Sequence, residues 1–339
     1  MSHADPEADP LDALDIDPVS PTGLRRLASH ITLNRWTFSV AFGTLLILTG
    51  SVIWSAHLGS SIDSHSMTWW LVVVAGVVSV GQYVGYGISL MGASTKPLPA
   101  GRTLELQVAE SLTSMATPES IGSLALTMRF LTKQGLGTAE AAAADGLSSF
   151  LTTFVGVILV PLGAIFAASS LDVAALKKDV PSGQWELIVA VVVLAGFITA
   201  AIKFPRLRRR IHTFGGTIAG YLRQILAHPT RGLTIGAGEL LTASAQVATM
   251  AFVLAALGAP INIAAILVIT QIASAASNVV PIPGGLGAPE AILIAGLSSV
   301  GVAHTEALLA ALIWRNLTYW LPPIPGAILL YDLRRRRLV

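Results

Sequence analysis

The sequence predicts an all-α polytopic membrane protein, with six transmembrane helices and two re-entrant helical hairpins in an inverted-topology repeat. Of its 339 residues, 53% are hydrophobic and 12% are charged, and the mean hydropathy is +0.70. Because soluble domains carry about 25% charged residues, this chain has too few to cover a soluble fold of its size. Two further observations support the prediction. The apolar stretches are long, and glycine and proline interrupt them at two places.

The start of the chain differs from the rest, because it is acidic and lacks any apolar run. Its carboxylates are those of Asp5, Glu7, Asp9, Asp12, Asp15 and Asp17. Such a composition cannot bury a core, so residues 1–30 are expected to form a disordered acidic tail. Residues 1–23 have no basic segment that leads into an apolar core, so they are not expected to form a secretory signal peptide.

Six apolar stretches reach the length of about 20 residues that a helix needs to cross a membrane. They are residues 37–58, 68–92, 139–169, 186–204, 232–258 and 305–330. Two further apolar regions, 104–134 and 261–302, are broken at 117–122 and 281–289 by glycine and proline. Each half has about 12–18 residues and, at about 1.5 Å per residue, reaches only part-way through a core of ~30 Å. Both regions are therefore predicted to be re-entrant hairpins.

The basic residues support this topology. If each hairpin returns to the side from which it enters, 18 of the 21 lysines and arginines lie on one side. The positive-inside rule then makes the chain a multi-pass protein of the cytoplasmic membrane, with both termini in the cytoplasm. The basic loop at 203–210 directly follows a span, so it is expected to contact anionic lipid headgroups and no nucleic acid.

The chain also repeats itself. Residues 117–122 correspond to 282–287 at an offset of 165, with proline second and glycine last in both. A second match, at an offset of 166, aligns 135–141 with 301–307. An odd number of spans in each half inverts the second half, as in transporters whose site lies near the midplane. The first and second membrane repeats are expected to occupy residues 31–180 and 181–339.

The two breaks are expected to form the substrate site. The half-helix after the second break begins near Ala288, so its unpaired amides and positive dipole end favour an anion there. The first break repeats this arrangement from about residue 119. The substrate-binding residues predicted in the breaks are Gly284, Gly285, Gly287, Ser120 and Gly122. The alternative is a helix break that serves packing only.

Arg315 is the strongest single candidate. It lies ten residues after Thr305, and thus about 15 Å deep in its span. A buried arginine costs about 2.5–3.5 kcal/mol on the milder insertion scale, so it requires a partner. It could grip a phosphate through two nitrogens, with Asn316 and Tyr319 as further substrate-binding residues.

The carboxylates of Glu290, Glu239 and Asp145 are candidates for a structural ion pair with Arg315 or for proton coupling. Glu290 lies in the first turn of its half-helix, where a carboxylate meets the helix dipole favourably, so capping is its simplest role. A lipid phosphate can exchange with a carboxylate, so a structural pair and a phosphate grip are compatible.

No enzyme signature is present. The seven histidines make no metal-binding spacing, and the chain has no Gly-x-Ser-x-Gly and no Walker A motif. We therefore expect a protein that is not an enzyme, without catalytic residues, metal or cofactor. Three Gly-x-x-x-Gly stretches, at 81–85, 216–220 and 232–236, allow close helix contact and leave a homodimer open.

Two motifs resemble the transmembrane region of lysylphosphatidylglycerol synthases: Pro283-Gly284-Gly285-Leu286-Gly287-x-x-Glu290, and Arg315 followed by Tyr319-Trp320-Leu321-Pro322. The resemblance covers about residues 30–335 and implies a lipid flippase fold with a headgroup-sized cavity between the repeats. In those synthases this region moves aminoacylated phosphatidylglycerol between leaflets, and a separate soluble domain makes it. No such domain follows before Val339, so lysyl transfer is not expected, and a separate lipid-modifying synthase is a candidate partner. Ser149 stands where the family commonly has a basic residue.

The first hypothesis is a flippase-like transporter that moves an anionic phospholipid, aminoacyl-lipid or lipid-linked glycan across the cytoplasmic membrane by alternating access. The headgroup would lie at the midplane between the two breaks, with Arg315 facing its phosphate. One alternative is an ion-coupled small-solute carrier in which Glu290 titrates. The other is a non-transporting membrane scaffold that presents lipid to a partner enzyme.

Overall fold

In the computed structural model of the chain, the described residues are 67–116, 121–170, 223, 227–279 and 287–339. All regular structure within them is helical. The predictions for the tail at 1–30, the spans at 37–58 and 186–204, the loop at 203–210 and the repeat boundary at 180–181 lie outside these residues. Most of both breaks also lies outside them, at 117–120 and 280–286, including Ser120, Gly284 and Gly285.

The described helices, in chain order, are α1 (Trp69–Ser79), α2 (Gly81–Ala93), α3 (Ala100–Ala116), α4 (Ile121–Lys133), α5 (Thr138–Ser170), α6 (Pro229–Ala256), α7 (Ile263–Val279), α8 (Ala288–Ser299), α9 (His304–Arg315), a π-helix (Asn316–Trp320) and α10 (Pro323–Arg335). Proline stands in the first turn of α6, α8 and α10. It is tolerated there because the first N–H groups of a helix have no intrahelical acceptor.

Three described helical stretches are long and apolar enough to cross a membrane, namely Trp69–Ala93, Thr138–Gly163 and Pro229–Ala256. They confirm the apolar helices predicted at 68–92, 139–169 and 232–258. The candidate span at 305–330 stays a prediction: α9 ends at Arg315, the π-helix follows as far as Trp320, and α10 begins at Pro323. The α-helix is interrupted because Pro322 and Pro323 lack the N–H groups that a continuous α-helix needs.

Helices α2 and α6 pack against each other in opposite directions. Gly92 lies near Ile235, whereas Gly85, earlier in α2, lies near Gly238, later in α6. A Cβ added to Gly85 would lie 2.5 Å from the carbonyl oxygen of Gly238, so the two backbones touch. The Gly-x-x-x-Gly stretch at 81–85 thus contributes Gly85 to a contact within the chain, and the homodimer stays a prediction.

The two broken regions form two helix pairs, α3 with α4 and α7 with α8. Their helices have 17, 13, 17 and 12 residues, so each is about 18–26 Å long and shorter than a hydrocarbon core of ~30 Å. Helix α3 also packs on α10, and α7 packs on α5. Because α3 follows the end of α2 and α7 follows the end of α6, the two pairs start at opposite ends of the antiparallel α2–α6 pair.

Each helix pair has an apolar core of its own. One core joins α3, α4, α5 and α10 and also includes Ile235 of α6. The other joins α6, α7, α8 and α9 and includes Met250. The buried polar residues Glu239, Thr242 and Gln246 lie on α6 between these two positions. A polar band therefore separates the two cores.

Candidate functional site

The candidate site forms where α8 begins and α9 ends. Arg315, the last residue of α9, has only 3% of its side chain exposed, and its Nε donates a 2.7 Å hydrogen bond to Glu290 Oε1. The other carboxylate oxygen, Oε2, accepts a 2.7 Å hydrogen bond from the backbone N–H of Gly287. Glu290 therefore joins a guanidinium to a helix N-terminus, which are two kinds of group that bind phosphate.

The local sequence explains why α8 begins at this point. Gly287 has a φ of +98°, in the left-handed region that glycine adopts without a steric penalty. Pro289 then occupies the first turn, where its missing N–H does no harm. Glu290, in the same turn, caps the helix by accepting the Gly287 N–H. This short stretch directs the carboxylate toward Arg315.

Aromatic side chains surround the guanidinium. Its Cζ lies 4.4 Å from the centroid of the Tyr319 ring and 5.7 Å from that of the Trp320 ring. Both distances allow a favourable cation–π interaction. Trp320 is 1% exposed, and its Nε1 donates a hydrogen bond to none of the described residues. The buried indole ring of Trp320 thus packs beside the guanidinium.

A π-helix follows α9 directly. The carbonyl of Thr318 lies four residues before Pro322 and five before Pro323, neither of which has an N–H. The N–H of Leu321 instead reaches the carbonyl of Asn316, five residues earlier, at 2.8 Å. Turns of this kind are rare in proteins, and many of those that do occur lie at functional sites.

The chain matches the family model described as "Lysylphosphatidylglycerol synthase TM region" over residues 26–326. It belongs to this family. The match confirms the resemblance first seen in the motif that ends at Glu290 and in Arg315, both of which lie within the matched range. Together with the apolar helices, family membership makes the chain a membrane protein linked to lipid handling. A comparison with curated proteins finds no significant match.

In this member of the lysylphosphatidylglycerol synthase TM region family, the other described residues predicted for the site have different surroundings. Tyr319 lies beside Arg315, as described above. Asn316 donates through Nδ2 to the carbonyl of Leu312 at 2.9 Å, so its amide is bonded to its own helix. Gly122 is buried near the start of α4. Their roles in substrate binding stay predictions.

Of the three carboxylates considered as partners of Arg315, Glu290 is the one that pairs with it. Glu239 is 3% exposed and accepts a 2.7 Å hydrogen bond from Ser89 Oγ. The same hydroxyl lies 2.8 Å from Ser148 Oγ. Asp145 is half-buried one turn earlier on α5. Proton coupling through any of these carboxylates stays a prediction.

Sequence analysis missed several polar residues of the interior. Glu110 of α3 accepts a hydrogen bond from Thr127 of α4, although the sequence indicated only that it lay in a broken region. Gln82, Tyr83 and Gln246 are all buried. Their hydrogen bonds could have been predicted from the sequence, because uncharged polar residues inside membrane spans need partners within the protein.

A second polar feature lies at the N-terminal ends of α5 and α6. A cavity of about 270 Å³ is lined there by Glu140, His228 and Arg231 among apolar side chains. Arg231 Nη2 donates a 3.4 Å hydrogen bond to the carbonyl of Thr95. The sequence predicts that this end faces the cytoplasm, where basic residues were expected to meet anionic headgroups.

Proposed function

We propose that this chain is a flippase-like lipid transporter, and not an enzyme. It moves an anionic phospholipid, aminoacyl-lipid or lipid-linked glycan across the cytoplasmic membrane by alternating access. The observation that carries the proposal is the buried Arg315–Glu290 pair at the N-terminus of α8. Membership of a family linked to lipid handling supports the choice of a lipid as substrate.

In this proposal Glu290 occupies the position that a lipid phosphate takes during transport. Its two oxygens satisfy Arg315 Nε and the Gly287 N–H, each at 2.7 Å. A phosphodiester also offers two charged oxygens, so it can accept from the same two donors. The exchange leaves neither the buried guanidinium nor the helix N-terminus without an anion, which avoids the large penalty of an unpaired buried charge.

The arrangement of the two helix pairs supports access from both sides. They start at opposite ends of the α2–α6 pair, and each packs on a helix from the other half, α3 on α10 and α7 on α5. We interpret them as the two re-entrant hairpins of an inverted repeat, with the Arg315 site near the midplane. Movement of one half against the other would then expose the site to each leaflet in turn.

The orientation within the membrane is part of the same proposal. The cavity at Glu140, His228 and Arg231 would open on the cytoplasmic side, and both termini would lie there. Basic side chains around this opening would attract anionic headgroups from the inner leaflet.

The proposal is tested by translocation of a fluorescent anionic lipid in liposomes that contain the purified protein. Arg315→Ala is expected to lower the rate about tenfold or more, because a charged hydrogen bond of ~1.5–3 kcal/mol is lost. Arg334→Ala, at an exposed arginine in the last turn of α10, is the matched control and should keep the wild-type rate.

Arg315→Ala alone leaves the Glu290 carboxylate without its partner, so the double variant Arg315→Met/Glu290→Met is measured as well. Removing both charges at once avoids an unpaired buried ion while removing the grip on phosphate. Wild-type translocation in the folded double variant would contradict the site. A wild-type protein that moves no lipid would contradict the transporter and favour the scaffold.

A further inference from the structure

Two backbone carbonyls of the π-helix have no donor within their own helix. Thr318 O lies four and five residues before Pro322 and Pro323, which carry no N–H. Leu317 O also lacks a donor, because the N–H of Leu321 is already bonded to an earlier carbonyl and the next residue is a proline. Inside a membrane, such carbonyls must find donors elsewhere in the protein.

The donors to Thr318 O come from the first half of the chain. Gln82 Nε2 and the Tyr83 hydroxyl donate to Thr318 O at 3.0 and 3.1 Å. Ser79 Oγ lies 3.2 Å from Leu317 O, although its single proton has a closer acceptor in Gly76 O at 2.7 Å. The side chains of Gln82 and Tyr83 are only 4% and 8% exposed, so their bonds are shielded from solvent. Residues of α2 thus stabilise the turn that follows Arg315 directly.

A network of side-chain amides extends from the same contact to the second helix pair. Gln246 Nε2, on α6, donates to Gln82 Oε1 at 3.4 Å. Gln246 Oε1 accepts from Gln271 Nε2 at 3.5 Å and from Ser274 Oγ at 3.4 Å, both on α7. Trp314 Nε1 donates to the backbone carbonyl of Gln246 at 3.0 Å. The network joins the helix that carries the guanidinium to the helix pair that carries the carboxylate.

We propose that Gln82 and Gln246 are positioning residues for the Arg315–Glu290 pair, and that they hold the pair closed until a phosphate replaces the carboxylate. This inference rests on the proposed function of the pair. Gln82 holds the π-helix that begins one residue after Arg315. Gln246 holds both α9, through Trp314, and α7, which packs on the helix of Glu290.

Breaking the network is expected to change the position of Arg315 relative to Glu290. Without the Gln82 amide, Thr318 O keeps the Tyr83 hydroxyl as its donor but loses the link to α6. The π-helix is then free to change its hydrogen-bond spacing, and Arg315 at its start turns relative to Glu290. None of the network side chains is charged, so it acts on the pair through position and not through a charge of its own.

The test observes the pair directly and does not depend on lipid transport. In protein with isotope-labelled arginine, the Arg315 Nε–H signal is identified by its absence in Arg315→Lys, and its hydrogen exchange is measured in detergent. Gln82→Met keeps the side-chain length and removes the donor. It is expected to speed the exchange about fivefold, the effect of one hydrogen bond. Gln107→Met, at a glutamine of α3 that is 8% exposed, is the matched control and should leave the rate unchanged.

Tyr83→Phe removes the second donor to Thr318 O and is expected to speed the exchange about twofold. Because Gln82 and Tyr83 share one acceptor, the double variant Gln82→Met/Tyr83→Phe should exceed the product of the two single effects. Unchanged exchange in the folded Gln82→Met and double variants overturns the positioning role. If Gln82→Met does not fold, unchanged exchange in Tyr83→Phe overturns it.

The same experiment separates this inference from the proposed function. Unchanged Arg315 exchange in the variants, together with lipid translocation by the wild type, would overturn only the positioning role. Faster exchange in Gln82→Met, together with a wild type that moves no lipid, would uphold the positioning role and overturn the proposed function.

Discussion

The two helix pairs resemble each other in backbone and differ in charge. Helices α3 and α7 both have 17 residues, and α5 and α9 start 166 residues apart, at the offset of the sequence repeat. The second half buries Arg315 against Glu290, whereas the corresponding positions of the first half hold Ser149 and Ala125. The two pairs thus share helix lengths and sequence spacing, but only the second carries the Arg315–Glu290 pair, so under the proposed function one phosphate-binding site per chain is expected.

The first half holds two half-buried carboxylates instead. Glu110 accepts a hydrogen bond from Thr127, and Asp145 lies close enough to interact with it electrostatically. None of the ion pairs among the described residues includes either of them. The repeat places Ala311 at the position of Asp145. The two halves therefore differ in charge, and under the proposed function only the second is expected to attract a phosphate.

The largest effect is expected at the contact between α2 of the first half and α6 of the second half. A Cβ at Gly85 would lie 2.5 Å from Gly238 O, and one at Gly238 would lie 2.6 Å from Gly85 O. Because a helix backbone cannot move aside easily, Gly85→Val should lower the free energy of unfolding by about 3 kcal/mol or more. Gly236→Val, where nothing lies within 4 Å of the added carbon, is the control. Equal unfolding temperatures of the two variants in detergent would contradict a close backbone contact between α2 and α6.

A smaller effect is expected from breaking the charge pair of the second half. Arg315→Met should lower the free energy of unfolding by about 2–3 kcal/mol, somewhat less than is typical of a broken buried pair, because Glu290 keeps the Gly287 N–H. Arg315→Met/Glu290→Met should recover most of this loss. The measurement is a double-mutant cycle by thermal unfolding in detergent. Additive losses would show that the two side chains do not stabilise each other.

The smallest effect is expected from neutralising a carboxylate of the first half. Glu110→Gln keeps an oxygen that accepts from Thr127, so its unfolding free energy should change by less than about 1 kcal/mol. Its lipid translocation rate should stay near that of the wild type. Glu290→Gln, the same chemical change in the second half, should alter both because it leaves Arg315 without a carboxylate. Equal effects at the two sites would remove the distinction between the halves.

Much of the helical framework could be predicted because it depends on local sequence. Apolar length predicted the helices at 68–92, 139–169 and 232–258, and proline with glycine predicted that a helix begins near Ala288. Arg315 stood out because a lone basic residue within a span needs a partner. Glu290 could be named as one of three partners, but spacing along the chain could not choose among them.

The rest required tertiary contacts. Gln82 and Thr318 are 236 residues apart in sequence, so no local pattern could pair them. The π-helix within the candidate span at 305–330 has a local cause, Pro322 beside Pro323, which the apolar composition of the stretch obscured. Gly85 was recognised as a site of close helix contact, but only the structure shows that its partner is Gly238 in the same chain.

The most direct measurement follows the Arg315 Nε–H signal while lipid is added to the wild-type protein in detergent. Short-chain phosphatidylglycerol supplies the phosphate, and the matching diacylglycerol, which lacks it, is the control. If phosphate replaces Glu290 on Arg315, the signal shifts with phosphatidylglycerol and stays in place with diacylglycerol. A signal that stays in place with both lipids, or shifts equally with both, would contradict a phosphate grip at Arg315.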